Sequence, residues 1–268
     1  MQRTTPKSAL LPPLGMAQTA LEAGFRNGAK GTHTSRTIMF EELSALLQAT
    51  TAAAMRRDYA EAIIDMNCLA KSTAASRRLT NQRLGELYAL DPGVQIFRVF
   101  RRLWDTDASG RPLLAIQCAL ARDPLLSATA PYMIGLPPGT EFAREPLAAA
   151  LRDSVGERIN ESVLNKIVRN AASSWTQSGH LSGRTFKKRQ RVESTPPTVA
   201  FGLYLAHCSG FRGSDLFTSA WIALLDCSPS TSRQLALEAK RIGLIDLRMA
   251  EEVIELDLDR LDPANKRN

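Results

Sequence analysis

What this chain is short of narrows it first. It holds only three histidines and four cysteines. Cys68, Cys118, Cys208 and Cys227 are scattered with no CxxC pair, and the histidines have no metal-ligand spacing. No metal site is expected, and the thiols read as reduced side chains of an intracellular, cytoplasmic protein. No apolar run approaches the roughly 20 residues that span a bilayer. Pro12-Pro13 breaks the stretch Ala9-Leu10-Leu11, so neither a membrane anchor nor a signal peptide is read. The GxxxxGK(S/T) loop, GxGxxG after a strand, HExxH and GxSxG are all missing. Glu238-Ala-Lys240, with Asp226 upstream, matches a fragment of some nuclease sites. Those sites hold the fragment on a strand, whereas this stretch is strongly helical. His180 lies near Ser178 and Ser182 with no acid placed to orient it, which suits a structural or phosphate-facing role. Catalysis and cofactors are therefore not expected.

Acids are scarcest where cations are densest. Arg158, Lys166, Arg169, Arg184, Lys187, Lys188, Arg189 and Arg191 face a single acid in their stretch, Glu161, a local excess equal to the chain's net charge of +7. So local a charge is a statement about a partner, and a polyphosphate backbone fits it. The spacing predicts a helix from Asn160 to Ser178, with Leu164, Ile167, Val168, Ala171 and Trp175 on one face. Lys166, Arg169, Asn170, Ser173 and Gln177 fall opposite, and their side chains suit phosphate oxygens and major-groove base edges. Gly179 can end the helix in the left-handed conformation. An extended run follows, with Ser182-Gly183 as the turn, Phe186 and Val192 as apolar anchors, and Arg184, Lys187, Lys188, Arg189 and Arg191 as a basic wing. Helix followed by basic hairpin is the order in which a winged helix-turn-helix meets DNA.

A second candidate lies earlier. Residues 58–66 read as a helix, 67–71 as a short connection, and Ser72 as the cap of a helix running to Ala89. That is the helix-turn-helix layout. Arg77, Arg78 and Arg83 lie on the second helix, with no acid before Glu86. An ordinary helical hairpin inside a bundle remains the alternative.

Residues 1–36 are rich in Gly, Thr, Pro and Ala and are expected to be a poorly ordered extension. A helix from Phe40 to Ala54 opens an N-terminal helical domain, 37–135, centred on Ile96, Phe97, Phe100, Leu103 and Trp104. The Pro- and Gly-rich segment 131–139 is the candidate boundary. A C-terminal helical domain, 140–262, contains the basic element, a helix from Thr195 to Ser209, another from Asp215 to Leu225 capped by Ser214, and a last helix capped by Ser228. Residues 244–248 and 253–258 read as two strands, and 263–268 as a tail. This second hairpin is acidic, with seven acids against two arginines between Asp246 and Asp262. It would repel phosphate and suits packing or a protein partner.

Several segments together resemble a known family. Asn67-Cys-Leu-Ala-Lys-Ser-Thr73 is followed by Leu84-Gly-Glu-Leu-Tyr88, by Leu113-Leu114, and by Ala121-Arg-Asp-Pro-Leu-Leu126. Arg169-Asn-Ala-Ala-Ser-Ser-Trp-Thr-Gln-Ser-Gly-His-Leu181 and Glu238-Ala-Lys-Arg-Ile-Gly-Leu-Ile245 complete the order. From about Phe40 to Leu258 the chain resembles the BrxA family, small accessory proteins of the BREX bacterial anti-phage defence systems. The resemblance implies a mostly helical, non-enzymatic protein that binds double-stranded DNA beside a DNA methyltransferase and ATPases encoded with it.

The expectation is a mainly α protein of two packed helical halves, with helix-turn-helix and winged-helix elements and one or two small β-hairpins in the C-terminal half. Its expected partner is duplex DNA, held mainly by phosphate contacts, with no membrane and no metal. RNA binding and a protein–protein adaptor role are the two alternatives.

Overall fold

The computed structural model describes residues 18–28, 30–155, 159–250 and 253–264. Its middle is set by the helical spacing of large apolar side chains in α5 (Gln95–Thr106), where Ile96, Phe97, Phe100, Leu103 and Trp104 are all buried. Phe100 meets the rings of Tyr88, Phe97, Trp104 and Phe201 with centroids 5.4–6.3 Å apart, separations at which aromatic pairs attract beyond simple burial. Phe201 belongs to α11 (Pro196–Cys208), a helix buried on nearly every side. α6 (Arg111–Arg122), apolar all round, is buried along its length and packs on both α5 and α11.

Around this centre lie α1 (Gln18–Ala23), a 3-10 turn (Thr32–Thr34), α2 (Phe40–Ala49), α3 (Arg56–Ile64) and α4 (Ala74–Tyr88). α7 (Pro124–Ser127), α8 (Ala130–Gly135), α9 (Arg144–Val155) and α10 (Glu161–Gln177) follow α6. Strands β1 (Leu181–Ser182) and β2 (Lys188–Arg189) come next, and after α11 the short helices α12 (Asp215–Thr218) and α13 (Ala220–Ala223), then α14 (Pro229–Arg241). Strands β3 (Asp246–Ala250) and β4 (Val253–Asp257) close the order. The fold is thus mainly helical with two small antiparallel hairpins.

Several expectations change. Residues 18–28 and 30–36, expected to be loose, are folded in: Ala20, Ala23, Phe25, Thr32 and His33 are buried, and Phe25 packs edge-on against Trp221. Residues 1–17 lie outside the described residues. The first part of the segment read as a domain boundary belongs to α8, whose Ala130 and Met133 are buried. Buried side chains from Ala20 to Leu261 make one contiguous cluster across it. Thr73, not Ser72, caps α4, its hydroxyl accepting from the Ser76 amide at 3.1 Å. The first long helix stops at Ala49 rather than Ala54. The helix expected over 215–225 is two pieces because Ser219 is extended and bonds its hydroxyl back to Leu216 O. Glu238 and Lys240 both fall in helix α14, as their helical surroundings predict.

The acidic hairpin pairs Leu247 with Leu256 and buries Leu247 against the core. Part of its charge is neutralised by cations: Arg260 holds Asp246 at 2.6 Å, and Arg98, on α5, holds Asp262 at 2.7 Å.

Candidate nucleic-acid interface

Helix α10 forms where its pattern predicts. Asn160 caps it, the side-chain oxygen accepting from the Val163 amide at 2.9 Å. Leu164, Ile167, Val168, Ala171 and Trp175 are all buried, and the Trp175 indole N–H donates to the Thr129 hydroxyl at 2.9 Å. Gly179 takes φ +85° and turns the chain out of the helix.

The opposite face divides into two edges. On one, the segment 33–40 lies along the helix. Asn170 Nδ2 donates to His33 O at 2.8 Å, Gln177 Nε2 to Thr37 Oγ1 at 3.1 Å, and Gln177 Oε1 accepts from the Phe40 amide at 3.1 Å. Asn170 and Gln177, expected to face a groove, are instead occupied in docking the chain's own N-terminal segment. Helical spacing could not show this, because the covering residues are more than 130 positions away.

Between them Ser174 anchors a buried relay. The His33 ring lies with Nδ1 2.8 Å from Asp123 Oδ2 and Nε2 2.8 Å from Ser174 Oγ. Ser174 Oγ also accepts from the Ile38 amide at 3.0 Å and donates to Asn170 O at 2.9 Å. Ser, His and Asp in this sequence are the groups of a hydrolytic triad. Here all three are sealed from solvent, with His33 and Ser174 at 0 % and Asp123 at 1 % exposure. Burial pushes the Asp123 carboxyl up, but the His33 ring and the amides of Leu126 and His33 outweigh it and hold the group below its ordinary value. The relay ties three segments together. Sequence reading missed it because its members share no local pattern.

The other edge is open. Lys166 and Arg169 are exposed, and Ser173 and Thr176 are half-buried on the same side. Lys187 Nζ, from beyond the helix, donates to Thr176 Oγ1 at 2.8 Å and to Gly183 O at 3.1 Å. That contact brings the hairpin cations to the end of the helical row. Partial burial and the nearby Arg144 guanidinium hold the Lys187 ammonium below the usual lysine value. Arg158 lies outside the described residues.

Strand alternation sorts the hairpin. Ser182 pairs with Lys188 and Leu181 with Arg189, so Lys188 faces out while Arg189 faces in beside Leu181. Arg189, expected on the wing's outer surface, is 1 % exposed and holds Asp226 through both terminal nitrogens, at 2.6 and 3.0 Å. Arg191 remains exposed with one donor on Asp226 O at 3.2 Å. Arg184 is exposed with no hydrogen bond or ion pair among the described residues. Phe186, read as an apolar anchor, is 74 % exposed, whereas Val192 does pack on the core. Segment 139–142 pairs along the other edge of β2: Gly139 N donates to Arg189 O, Arg189 N to Thr140 O, and Phe142 N to Lys187 O.

His180 sits beneath this hairpin, fully buried. Burial pushes its pKa down to about 4. The neutral ring donates from Nε2 to Leu224 O at 2.8 Å and presents Nδ1 to the Ser178 hydroxyl. The structural reading of this histidine holds, and the phosphate-facing one does not.

The α4 surface keeps less than expected. Arg77 donates to Ile64 O at 2.7 Å, where it caps α3, and Arg83 pairs with Glu86 at 2.7 Å. Glu86 also accepts from Thr32 and Gln82. Burial raises this carboxyl's pKa, but those hydrogen bonds carry it below the ordinary value. Arg78 is the exposed member of the three. Among the described residues no group of three His, Cys, Asp or Glu side chains is placed to hold a metal ion, and no helix is long and apolar enough to cross a membrane. No family model matches the chain, and no curated protein matches it.

Proposed function

We propose that this protein is a non-enzymatic binder of double-stranded DNA that grips mainly phosphate oxygens. The contact surface is a strip of cations: Lys166 and Arg169 on α10, Lys187 at the junction, and Arg184, Lys188 and Arg191 on the β1–β2 hairpin. The observation that carries this reading is the Lys187–Thr176 hydrogen bond, which joins hairpin and helix into one surface. α9, α10 and the hairpin then stand in the order of a winged helix-turn-helix, with α10 as the groove helix. Glu141, bridged to Lys188 through the backbone, marks where the strip ends. The contact set is narrower than the sequence pattern suggests, since Asn170, Gln177 and Arg189 are spent inside the protein. Arg78 is a separate, secondary contact.

The resemblance to the BrxA family extends the proposal to a role as an accessory protein of a BREX-type defence system. There it would act beside the system's methyltransferase and ATPases. The test of binding is a fluorescence-anisotropy titration of duplex DNA, duplex RNA and single strands of equal length over a range of salt. Affinity for duplex DNA should fall steeply and log-linearly with salt, with a slope near −0.9 per neutralised phosphate. Preference for duplex RNA would replace the reading with RNA recognition, and failure to bind any duplex in dilute buffer would end it.

A further inference from the structure

Phe186 is a large apolar side chain presented to solvent at the tip of the hairpin, 74 % exposed. Single exposed apolar residues are ordinary, so exposure alone says little. What sets Phe186 apart is how it is held and what surrounds it. Gly183, at φ +101°, lets the turn close so tightly that a Cβ there would lie 2.1 Å from Phe186 O. The Lys187 ammonium, bonded to Gly183 O and to Thr176, pins the same turn to α10. Below it, β2 is paired on both edges and Arg189 is locked to Asp226. The ring is thus carried by a braced turn whose neighbours in sequence, Arg184, Lys187 and Lys188, are cations.

An exposed apolar side chain flanked in sequence by cations fits a surface that offers phosphates outside and stacked bases within. We infer that Phe186 inserts between base pairs of the bound duplex, partly unstacking one step, while Arg184 and Lys188 hold the flanking phosphates. Side chains of this kind enter the minor groove and kink the helix, and the unstacking they cost is offset by the protein surface that the bent duplex reaches. The inference rests on the DNA-binding reading above. An anionic membrane surface also has charge outside and apolar matter within. The duplex is favoured because Lys187 ties the turn to Thr176 on α10, the helix that also carries the exposed cations Lys166 and Arg169.

The test uses the full chain and short duplexes carrying 2-aminopurine at successive positions, whose fluorescence rises on unstacking. Wild type should raise the signal at one or two positions, and Phe186→Trp should preserve the rise. Phe186→Ala should abolish it, with an affinity loss of about tenfold, the scale of one aromatic–base stack, and an unchanged salt slope because no charge is removed. Wild type that binds with its normal salt slope but gives no rise at any position overturns the wedge and leaves phosphate binding standing. An equal rise from Phe186→Ala does the same. Absence of duplex binding by wild type overturns both readings. So does Phe186-dependent binding to phosphatidylserine vesicles in place of duplex.

Discussion

Arg189 and Asp226 form a bidentate ion pair at the base of the β1–β2 hairpin, 37 residues apart in sequence and within 3.0 Å at both contacts. Asp226 stands at φ +53° and also accepts from the Val192 amide at 2.9 Å, so one carboxylate organises both ends of the turn-out from β2. A charge so deeply placed contributes to structure rather than to ligand contact. Arg189→Ala should therefore cost about 3 kcal/mol of stability, because it strands the partner's charge in a desolvated site. Urea denaturation checks this. An Arg189 variant of unaltered midpoint would mean that the pair adds nothing.

The exposed strip behaves differently. Arg184→Ala with Lys188→Ala should leave the unfolding free energy within about 0.5 kcal/mol of wild type, as surface changes do. The same double change should flatten the salt slope for duplex DNA by about 2 log units per log unit of salt. Asn170→Ala and Gln177→Ala should do the reverse, lowering stability without touching the slope. A triple change that includes Arg189 would mix the two effects and report on neither.

These contrasts mark where the sequence was legible. The apolar stripe of α10, the glycine that ends it and the hairpin after it follow local rules of period and turn chemistry, and they stand as read. Exposure of the polar face did not follow from those rules. Whether Asn170 meets solvent or His33 O depends on a chain segment far away, and whether Arg189 points outward depends on a strand register of two residues. Lys187, Lys188 and Arg189 form one run of cations by composition, yet alternation turns Lys188 out and Arg189 in, while Lys187 is held by Thr176 and Gly183 O. Residues 18–28 and 30–36 look loose by composition but are folded in, with Thr32 and His33 finding long-range partners that no local window contains.

Asp123 is the hub of that hidden docking. Besides the His33 ring it accepts from the amides of His33, Leu125 and Leu126 at 3.0–3.2 Å, so it also caps α7. Asp123→Ala should cost about 3–5 kcal/mol, the range for removing one member of a buried pair. It should also release residues 30–38 to limited proteolysis, while Asp123→Asn should keep part of the cap. Protection of that segment in the alanine variant would show that the relay does not hold it.

The pH dependence of stability follows from the same buried groups, and its sign is fixed. The folded-state pKa of His180, about 4, lies below the ordinary histidine value near 6.5. Above pH 6.5 the ring is neutral whether folded or unfolded, and its contribution is fully present. As pH falls from about 6.5 towards 4 the unfolded chain takes up a proton that the folded chain refuses, and about 3 kcal/mol is lost across that window. The carboxyls of Asp123 and Glu86 are held below their ordinary values, so their contributions are present above the usual carboxylate range and vanish as pH drops through their folded values. Two stages of acid loss are expected, and His180→Gln, whose amide retains a donor for Leu224 O, should remove the first and spare the second. Denaturation midpoints measured between pH 3 and 8 decide the matter. A flat profile from pH 7 down to 4.5 in wild type would contradict the assignment of His180 as a neutral, buried donor.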